Sequence, residues 1–137
     1  MMPPPTAAYL RARYTRYLAA LNERRFEHLV HFYPESLLVN GIHCDRHAHL
    51  LDIKRLLSAF PDWHWRLDDL LTDGTRIAAR LTTTGTHEGP YDEFAPTHRT
   101  VTASEFAHYR ITDGRFTEVW FLSDRESVRR QLSQESA

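Results

Sequence analysis

The chain contains 137 residues, 42% of them hydrophobic and 26% charged, and its formal net charge is -1. This length and composition predict a single domain over residues 1–137 with a small core. Only one of the 17 basic residues is a lysine and the arginines are scattered, which argues against a nucleic-acid or membrane-binding surface. Cys44 is the single cysteine, and no N-terminal apolar run resembles a signal peptide or a membrane span. We therefore expect a cytoplasmic protein without an intramolecular disulfide.

The first half of the chain has helical periodicity. Residues 1–6 include three consecutive prolines and are expected to be a disordered lead-in. Apolar residues at three- and four-residue steps then predict an amphipathic helix over residues 7–22. A shorter helix is predicted over residues 26–32 and a strand over residues 37–40. Asp45 is a suitable N-cap, which predicts a third helix that runs through Leu57.

The second half changes to the alternation of β-strands. Asp73-Gly74 and Asp113-Gly114 are sequences of tight hairpin turns. Helices followed by a curved antiparallel sheet predict an α+β fold whose wider end forms a small-molecule pocket. The predicted strands cover residues 63–70, 76–87, 101–111 and 116–123, and a final helix covers residues 124–132.

Strand alternation places two ionisable residues in rows of apolar side chains. His87 ends the row of the second long strand that begins with Ile77. Glu105 shares one face of the third long strand with Val101, Ala103, Ala107, Tyr109 and Ile111. We therefore predict that Glu105 and His87 form an acid-base pair.

Such a pair can catalyse proton transfer without a metal or a cofactor. An apolar pocket disfavours the charged form of Glu105, which raises its pKa and makes it a better base at neutral pH. Glu105 can then remove an acidic carbon-bound proton while His87 donates to the oxygen on which enolate charge develops. Structural alternatives stay open: Glu105 can pair with Arg80 or Arg110 or face a subunit interface, and backbone groups can satisfy His87.

Several short motifs follow one another in the second half of the chain. They are Phe60-Pro61-Asp62-Trp63, Asp73-Gly74, Thr84-Gly85-Thr86-His87, Pro96-Thr97, Asp113-Gly114 and Glu118-Val119-Trp120, with Asp124 after them. In this order they resemble the SnoaL-like polyketide cyclases. The resemblance covers most of the chain and implies the cone-shaped α+β barrel of the nuclear transport factor 2-like fold, with one deep pocket. It also implies aldol-type ring closure of an aromatic polyketide in secondary metabolism, such as antibiotic biosynthesis.

The resemblance further implies an acid-base pair formed by an aspartate on the final strand and a histidine on the strand before it. The aspartate position is Phe121 here, and the histidine position falls near Ala107, with His108 one residue away on the opposite face. A second aspartate position of the family is kept as Asp124, which makes this residue a third catalytic candidate. Aspartate is also a preferred N-cap, so Asp124 can instead begin the final helix.

Aromatic and polar residues supply candidates for substrate binding. Tyr14 and Tyr17 lie on the apolar face of the first helix, and tryptophans offer flat surfaces for stacking, although core packing explains most such aromatics. Asn40 corresponds to a polar position near the ligand in relatives and is equally a turn former before Gly41. The predicted binding residues are Tyr14, Tyr17, Asn40, Trp63, His108, Trp120 and Phe121.

The nine histidines raise the question of a metal site. His43, His47 and His49 have part of the spacing of a metal cluster, but the last two point to different faces of the predicted helix. We therefore predict neither a metal site nor a cofactor.

Two classes of function follow from these observations. The first is an enzyme that cyclises, isomerises, dehydrates or hydrates a hydrophobic aromatic or polycyclic small molecule. The second is a non-catalytic ligand-binding module, which the loss of the aspartate at position 121 favours, and a hydroxylase-type accessory protein is a related option.

The sequence also predicts a homodimer, because Phe106 and either Val119 or Trp120 lie on the outside of the sheet.

Overall fold

A computed structural model describes residues 3–134, so residues 1 and 2 of the predicted lead-in lie outside the described part of the chain. Helices pack on one six-stranded sheet, which confirms the predicted α+β class. The helices are α1 Ala7–Asn22, α2 Phe26–Leu29, α3 Arg46–Ala59 and α4 Arg125–Ser133, with a 3₁₀ turn over Val30–Phe32 after α2. The strands are β1 Ser36–Val39, β2 Ile42–Asp45, β3 His64–Asp73, β4 Arg76–Thr86, β5 Thr100–Thr112 and β6 Arg115–Ser123.

The sheet is mixed and has the order β2-β1-β6-β5-β4-β3. The prediction of a purely antiparallel sheet is wrong at one pair of neighbours, because β1 runs parallel to β6. Sequence reasoning also missed β2, which pairs with β1 through a turn at Asn40 and Gly41. Both turn residues have positive φ, at 50° and 84°. Two such residues in succession are typical of the two-residue hairpin turn, so the Asn-Gly pair itself signals the missed strand.

Helix ends follow the local capping chemistry. The Thr6 side chain accepts a hydrogen bond from the backbone N–H of Tyr9 at the start of α1. The Asp45 side chain accepts from the backbone N–H groups of His47 and Ala48, which confirms the predicted cap of α3. The predicted helix over residues 26–32 is a single α-helical turn that continues as the 3₁₀ turn.

The two faces of the sheet have different environments. The inner face packs against α1 and carries buried residues such as Leu81, Ala107 and Val119. The outer face carries exposed residues such as Phe106 and Trp120. Val119 therefore faces inward and Trp120 outward, which decides between the two registers that the sequence left open for β6. None of the helices within residues 3–134 is long and apolar enough to cross a bilayer.

The Phe-Pro-Asp-Trp motif joins α3 to the end of β4. The Asp62 carboxylate accepts hydrogen bonds from the backbone N–H of Thr86 at 2.6 Å and from its hydroxyl at 2.8 Å. Although desolvation acts to raise the pKa of Asp62, these hydrogen bonds and the nearby Arg24 lower it overall. Trp63 lies over Gly85, where an added Cβ would come within 2.6 Å of the indole ring. The motif thus holds the C-terminal end of β4 against the segment between α3 and β3.

Candidate active site

Glu105 lies on the inner face at the middle of β5. Its register partners are Leu81 on β4 and Ser123 on β6. The Ser123 hydroxyl donates a hydrogen bond of 2.7 Å to Oε1 of Glu105. Burial raises the pKa of Glu105 above its ordinary value, although the hydrogen bond from Ser123 acts in the opposite direction. The half-buried carboxyl group is therefore easier to protonate than a solvated glutamate.

The two arginines that were alternative partners for Glu105 form ion pairs with other carboxylates. Arg110 on the outer face bonds the carboxylate of Glu118. Arg80, also on the outer face, lies 3.8 Å from the carboxylate of Asp68. Neither arginine contacts Glu105, because alternation along the strands points them to the opposite side of the sheet. Arginine pairing is thus removed as the explanation of this carboxylate.

Four tyrosine hydroxyl groups are buried on the helix side of the inner face. Tyr14 and Tyr109 bring their hydroxyl oxygens to 3.3 Å, and Tyr17 and Tyr33 form a second hydroxyl pair. The rings of all four surround Phe116, with centroid distances of 4.9 to 6.5 Å. We call Tyr14, Tyr17, Tyr33 and Tyr109 the tyrosine cluster. Tyr14 and Tyr17, the two predicted binding residues on α1, are therefore core residues, and each hydroxyl group has a tyrosine partner inside the protein.

The tyrosine cluster stays protonated over the ordinary pH range. Burial raises the pKa of each of the four hydroxyl groups. The charge of Glu105 raises the pKa of Tyr14, Tyr17 and Tyr109 further. The carboxyl group is thus within electrostatic reach of three hydroxyl groups.

His87 does not share a site with Glu105, and the prediction that they act as a pair is wrong on geometry. Its inward direction is as predicted, and its side chain is fully buried. However, Glu105 lies opposite Leu81, six residues before His87, which corresponds to about 20 Å along a strand. The Nδ1 atom of His87 accepts a hydrogen bond from the backbone N–H of Thr97 at 3.1 Å. His87 therefore holds the loop before β5 through Nδ1, whereas its Nε2 atom is buried without a hydrogen-bond partner among the described residues. The structural alternative accounts for only one of the two ring nitrogens.

Asp124 and Asn40 also have structural partners. The Asp124 side chain accepts from the backbone N–H of Ser127 at 3.1 Å and so caps α4 on the exposed surface. The Asn40 side-chain oxygen accepts from the backbone N–H of Phe121 at 2.9 Å, beyond the last residue of β1. Asn40 thus extends the pairing of β1 with β6. Both side chains therefore have structural roles, one at a strand end and one at a helix start.

The remaining predicted binding residues are divided between the two faces. Trp63 is buried beside Phe60, with ring centroids 5.0 Å apart, at the His87 end of the sheet. His108 and Trp120 pair across β5 and β6 on the outer face, where they line a groove of about 620 Å³. Phe121 borders the same groove, although its register with Ala107 assigns it to the inner face, and it is 39% exposed. Of these residues, only Phe121 neighbours Glu105.

The two positions that the resemblance assigns to the acid-base pair are direct partners in the sheet. Ala107 pairs with Phe121, and the next inward pair along the same strands is Glu105 with Ser123. A step of two residues along a strand is about 7 Å. The inner face therefore retains a carboxylate, displaced by one cross-strand pair from the expected position.

Comparison with known proteins identifies the family of the chain. The family model described as SnoaL-like polyketide cyclase matches residues 11–132. The chain belongs to this family. No curated protein sequence matches the chain.

Solved structures of other proteins share the fold over nearly their full length. A SnoaL-like polyketide cyclase from Agrobacterium tumefaciens is 26% identical, with 90% of this chain and 98% of that chain covered and a TM-score of 0.81. TsrD from Streptomyces laurentii is 26% identical, with 94% and 98% covered and a TM-score of 0.84. AclR from Streptomyces galilaeus, to which a hydroxylase activity has been attributed, is 21% identical, with 96% and 100% covered and a TM-score of 0.84. The nuclear transport factor 2-like fold implied by the sequence is thereby confirmed.

Sequence reasoning missed the contacts of three residues on or next to the inner face. Ser123 has no distinguishing pattern in the sequence, because β6 is apolar on both faces and the sequence leaves its register open. Tyr33 lies in a short connection after the 3₁₀ turn, where periodicity gives no direction. Tyr109 was placed on the correct face of β5, but nothing in its spacing indicated a hydroxyl partner on α1.

Proposed function

We propose that the protein is an acid-base enzyme in which Glu105 is the catalytic group and the substrate is a hydrophobic aromatic or polyketide-type molecule. The observation that carries this proposal is the half-buried carboxyl group on the inner face, with a raised pKa and with Ser123 as its hydrogen-bond partner. A carboxylate whose charge is disfavoured by its surroundings is a stronger base toward a carbon acid. Membership of a family named for polyketide cyclases makes ring closure the preferred reaction.

Ring closure needs one group that first takes a proton and later returns it. The Glu105 carboxylate removes a proton from a carbon next to a substrate carbonyl, which leaves an enolate. The enolate carbon forms a bond to a second carbonyl carbon, and that carbonyl becomes an alkoxide. The alkoxide then takes the proton from the Glu105 carboxylic acid, which restores the carboxylate. Atoms and charge balance without a cofactor.

The proposal is tested by offering the wild-type protein a panel of uncyclised anthraquinone-type polyketide esters in deuterated water. Product formation and deuterium incorporation at the acidic carbon are followed together, with ligand binding measured in parallel. Turnover that is lost in Glu105→Gln while binding is kept supports the proposal. Turnover that is unaffected by this substitution removes Glu105 as the base.

An accessory role, hydroxylase-type or purely ligand-binding, is the second candidate. It is favoured by the apolar Ala107–Phe121 pair at the positions where the resemblance implies the acid-base residues. Binding of the panel without turnover or deuterium exchange in the wild-type protein is the result expected from this alternative. Deuterium exchange without ring closure instead indicates an isomerase, dehydratase or hydratase, which uses the same base.

The pH profile of turnover is expected to move when Ser123 is changed. A carboxylate base is active above its pKa, so turnover rises as the pH passes through the pKa of Glu105. Ser123→Ala removes a hydrogen bond that lowers this pKa, so the acidic limb of the profile should shift to higher pH. Ser104→Ala, on the exposed face of β5, is the matched control and should leave the limb in place. An acidic limb that is unchanged or moves to lower pH in Ser123→Ala contradicts the assignment.

We further propose a cytoplasmic homodimer that forms through the outer face. Phe106 and Leu122 are register partners there, and their side chains are 59% and 77% exposed. Trp120, which is 43% exposed, continues this apolar patch, and exposed apolar patches often mark protein–protein interfaces. Arg110 with Glu118 and Arg80 with Asp68 place both signs of charge beside the patch, which suits self-pairing about a two-fold axis.

The dimer is expected to dissociate when Phe106 is replaced by aspartate. An unpaired carboxylate at the centre of the apolar patch would have to be desolvated twice in a two-fold interface. Sedimentation equilibrium should give the mass of a dimer for the wild-type protein and of a monomer for Phe106→Asp. Leu51→Asp, at a position on α3 that is 48% exposed, should remain dimeric. A monomeric wild-type protein, or a dimeric Phe106→Asp variant, contradicts this interface.

A further inference from the structure

The inner face of the sheet is accessible at one place along its three central strands. The residues of β4, β5 and β6 whose register directs them inward are buried, with three exceptions among the described residues. Glu105 and Ser123 are half-buried, and Phe121 is 39% exposed. These three are neighbours, because Glu105 pairs with Ser123 and Phe121 lies two residues before Ser123 on β6. We call Glu105, Phe121 and Ser123 the inner opening.

Packing on either side explains why the inner opening lies at this place. Toward the start of β6, the tyrosine cluster surrounds Phe116, and Val119 is buried as well. In the other direction β6 ends at Ser123, and α4 then lies against β5. There the Gln131 side chain bonds both the backbone N–H of Thr102, at 2.9 Å, and its carbonyl oxygen, at 2.8 Å. The inner opening is the part of the face between these two covered regions.

The ring of Phe121 is within reach of a ligand that binds at Glu105. The two residues are diagonal neighbours across β5 and β6, an arrangement that separates their positions by about 7–8 Å and that aromatic side chains can span. The residue opposite Phe121 is Ala107, whose methyl group is too small to cover a phenyl ring. Phe121 lies outside the hydrophobic core, so a ligand that covered its ring would remove apolar surface from water.

We propose that Phe121 is a substrate-binding residue that stacks on a planar, conjugated part of the substrate and so holds the acidic carbon at Glu105. This inference rests on the proposed function of Glu105 and names the feature of the substrate that the site selects. Aromatic rings attract each other at centroid distances of 4.5–7 Å beyond the effect of buried area, which a saturated ring of similar size does not reproduce. A ring stacked there also displaces water from the neighbouring carboxylate, and this makes the carboxylate a stronger base.

The charge of the inner face narrows the substrate class further. Within the described strands, the inward positions of β4, β5 and β6 include no lysine or arginine, and Glu105 is the carboxylate among them. An anionic group at the reacting end of the substrate would be repelled by Glu105 and would have no cation to pair with on these strands. The ligand that suits the inner opening is therefore a neutral aryl ketone with an acidic carbon, such as an aryl 1,3-dicarbonyl compound.

Two ligands that differ in one ring test the role of Phe121 without any turnover. Benzoylacetone and 1-cyclohexylbutane-1,3-dione share the 1,3-dicarbonyl group, but the first has a flat aromatic ring and the second a saturated one. Dissociation constants are measured by isothermal titration calorimetry at neutral pH. Phe121→Leu should weaken binding of benzoylacetone roughly 3- to 10-fold, the usual contribution of one aromatic pair, and should change binding of the cyclohexyl compound by less than about two-fold. Phe121→Tyr keeps the ring and should bind both ligands as the wild-type protein does.

Phe106→Leu is the matched control, because it makes the same change on the outer face. Phe106 lines the outer groove, so a loss of affinity in Phe106→Leu equal to that in Phe121→Leu would place the ligand in that groove and overturn the proposal. Equal weakening of both ligands by Phe121→Leu, no weakening of either, or no binding of benzoylacetone to the wild-type protein also overturns it. Far-UV circular dichroism verifies folding, and weakened benzoylacetone binding in Phe121→Tyr contradicts the proposal even if Phe121→Leu does not fold.

The stacking role and the catalytic role of Glu105 fail in different measurements. Ring-selective binding that is lost in Phe121→Leu supports the stacking role whether or not the protein turns the ligand over. Deuterium exchange that survives Glu105→Gln removes Glu105 as the base and leaves the dissociation constants of the Phe121 variants unaffected.

Discussion

Turnover of a cyclisable polyketide ester is expected to fall about 10²- to 10⁴-fold in Glu105→Gln, the usual contribution of a positioned acid-base group. Glutamine keeps the shape of the side chain and can still accept the hydrogen bond from Ser123, so the fold and the ligand affinity should change little. The loss should therefore appear in kcat and not in KM. Steady-state kinetics and parallel binding measurements separate the two quantities.

Glu118→Gln provides the matched control for this experiment. Glu118 lies on the neighbouring strand, but its side chain is on the outer face and is paired with Arg110. Its replacement removes an ion pair that is partly exposed, which should cost at most about 1 kcal/mol of stability and leave kcat unchanged. Equal losses of kcat in the two variants would mean that general destabilisation, and not the base, explains the result.

The free energy of unfolding is expected to decrease by about 3–5 kcal/mol in Phe116→Ala. Phe116 is fully buried, and its ring contacts Phe32 in addition to the four rings of the tyrosine cluster. Removing it leaves a cavity that the surrounding rings cannot fill without breaking the hydroxyl pairs. Urea denaturation monitored by tyrosine and tryptophan fluorescence gives the free energy and its denaturant slope.

Phe121→Ala is the corresponding control on the same strand. Its side chain is 39% exposed, so less apolar area returns to water and a smaller cavity is left. We expect a decrease well below that of Phe116→Ala. A Phe116→Ala variant as stable as Phe121→Ala would show that the ring at position 116 is not the centre of the core.

Much of the fold follows from local patterns in the sequence. The helix over residues 7–22 and the strands of the second half agree with the structure to within a few residues at each end, because long periodic segments determine both element type and face. The face of Glu105 was predictable for the same reason. The short β2 strand was missed although the Asn40-Gly41 turn signals it. The parallel contact of β1 with β6 was not predictable, since pairing between distant segments leaves no local signature.

The candidate site was only half predictable. Parity placed both Glu105 and His87 on the inner face, but parity contains no information on how far apart two residues lie along neighbouring strands. The register that puts Leu81 opposite Glu105 separates the pair. The outward direction of Trp120 was not predictable, because β6 is apolar on both faces. In addition, the bulge between Arg110 and Ile111 shifts the register of β5 against β6 before Val119.

The parallel contact between β1 and β6 has a consequence for biosynthesis. Leu38 and Val39 pair with Glu118 and Val119. The β1–β2 hairpin therefore cannot pair with β6 until nearly the whole chain has been synthesised. Contacts of such large sequence separation form late and slow folding. During that interval the hairpin and α1 expose their apolar residues, and the nascent chain is open to aggregation or chaperone binding. Premature termination before β6 should therefore yield a polypeptide that cannot join the β1–β2 hairpin to the rest of the sheet.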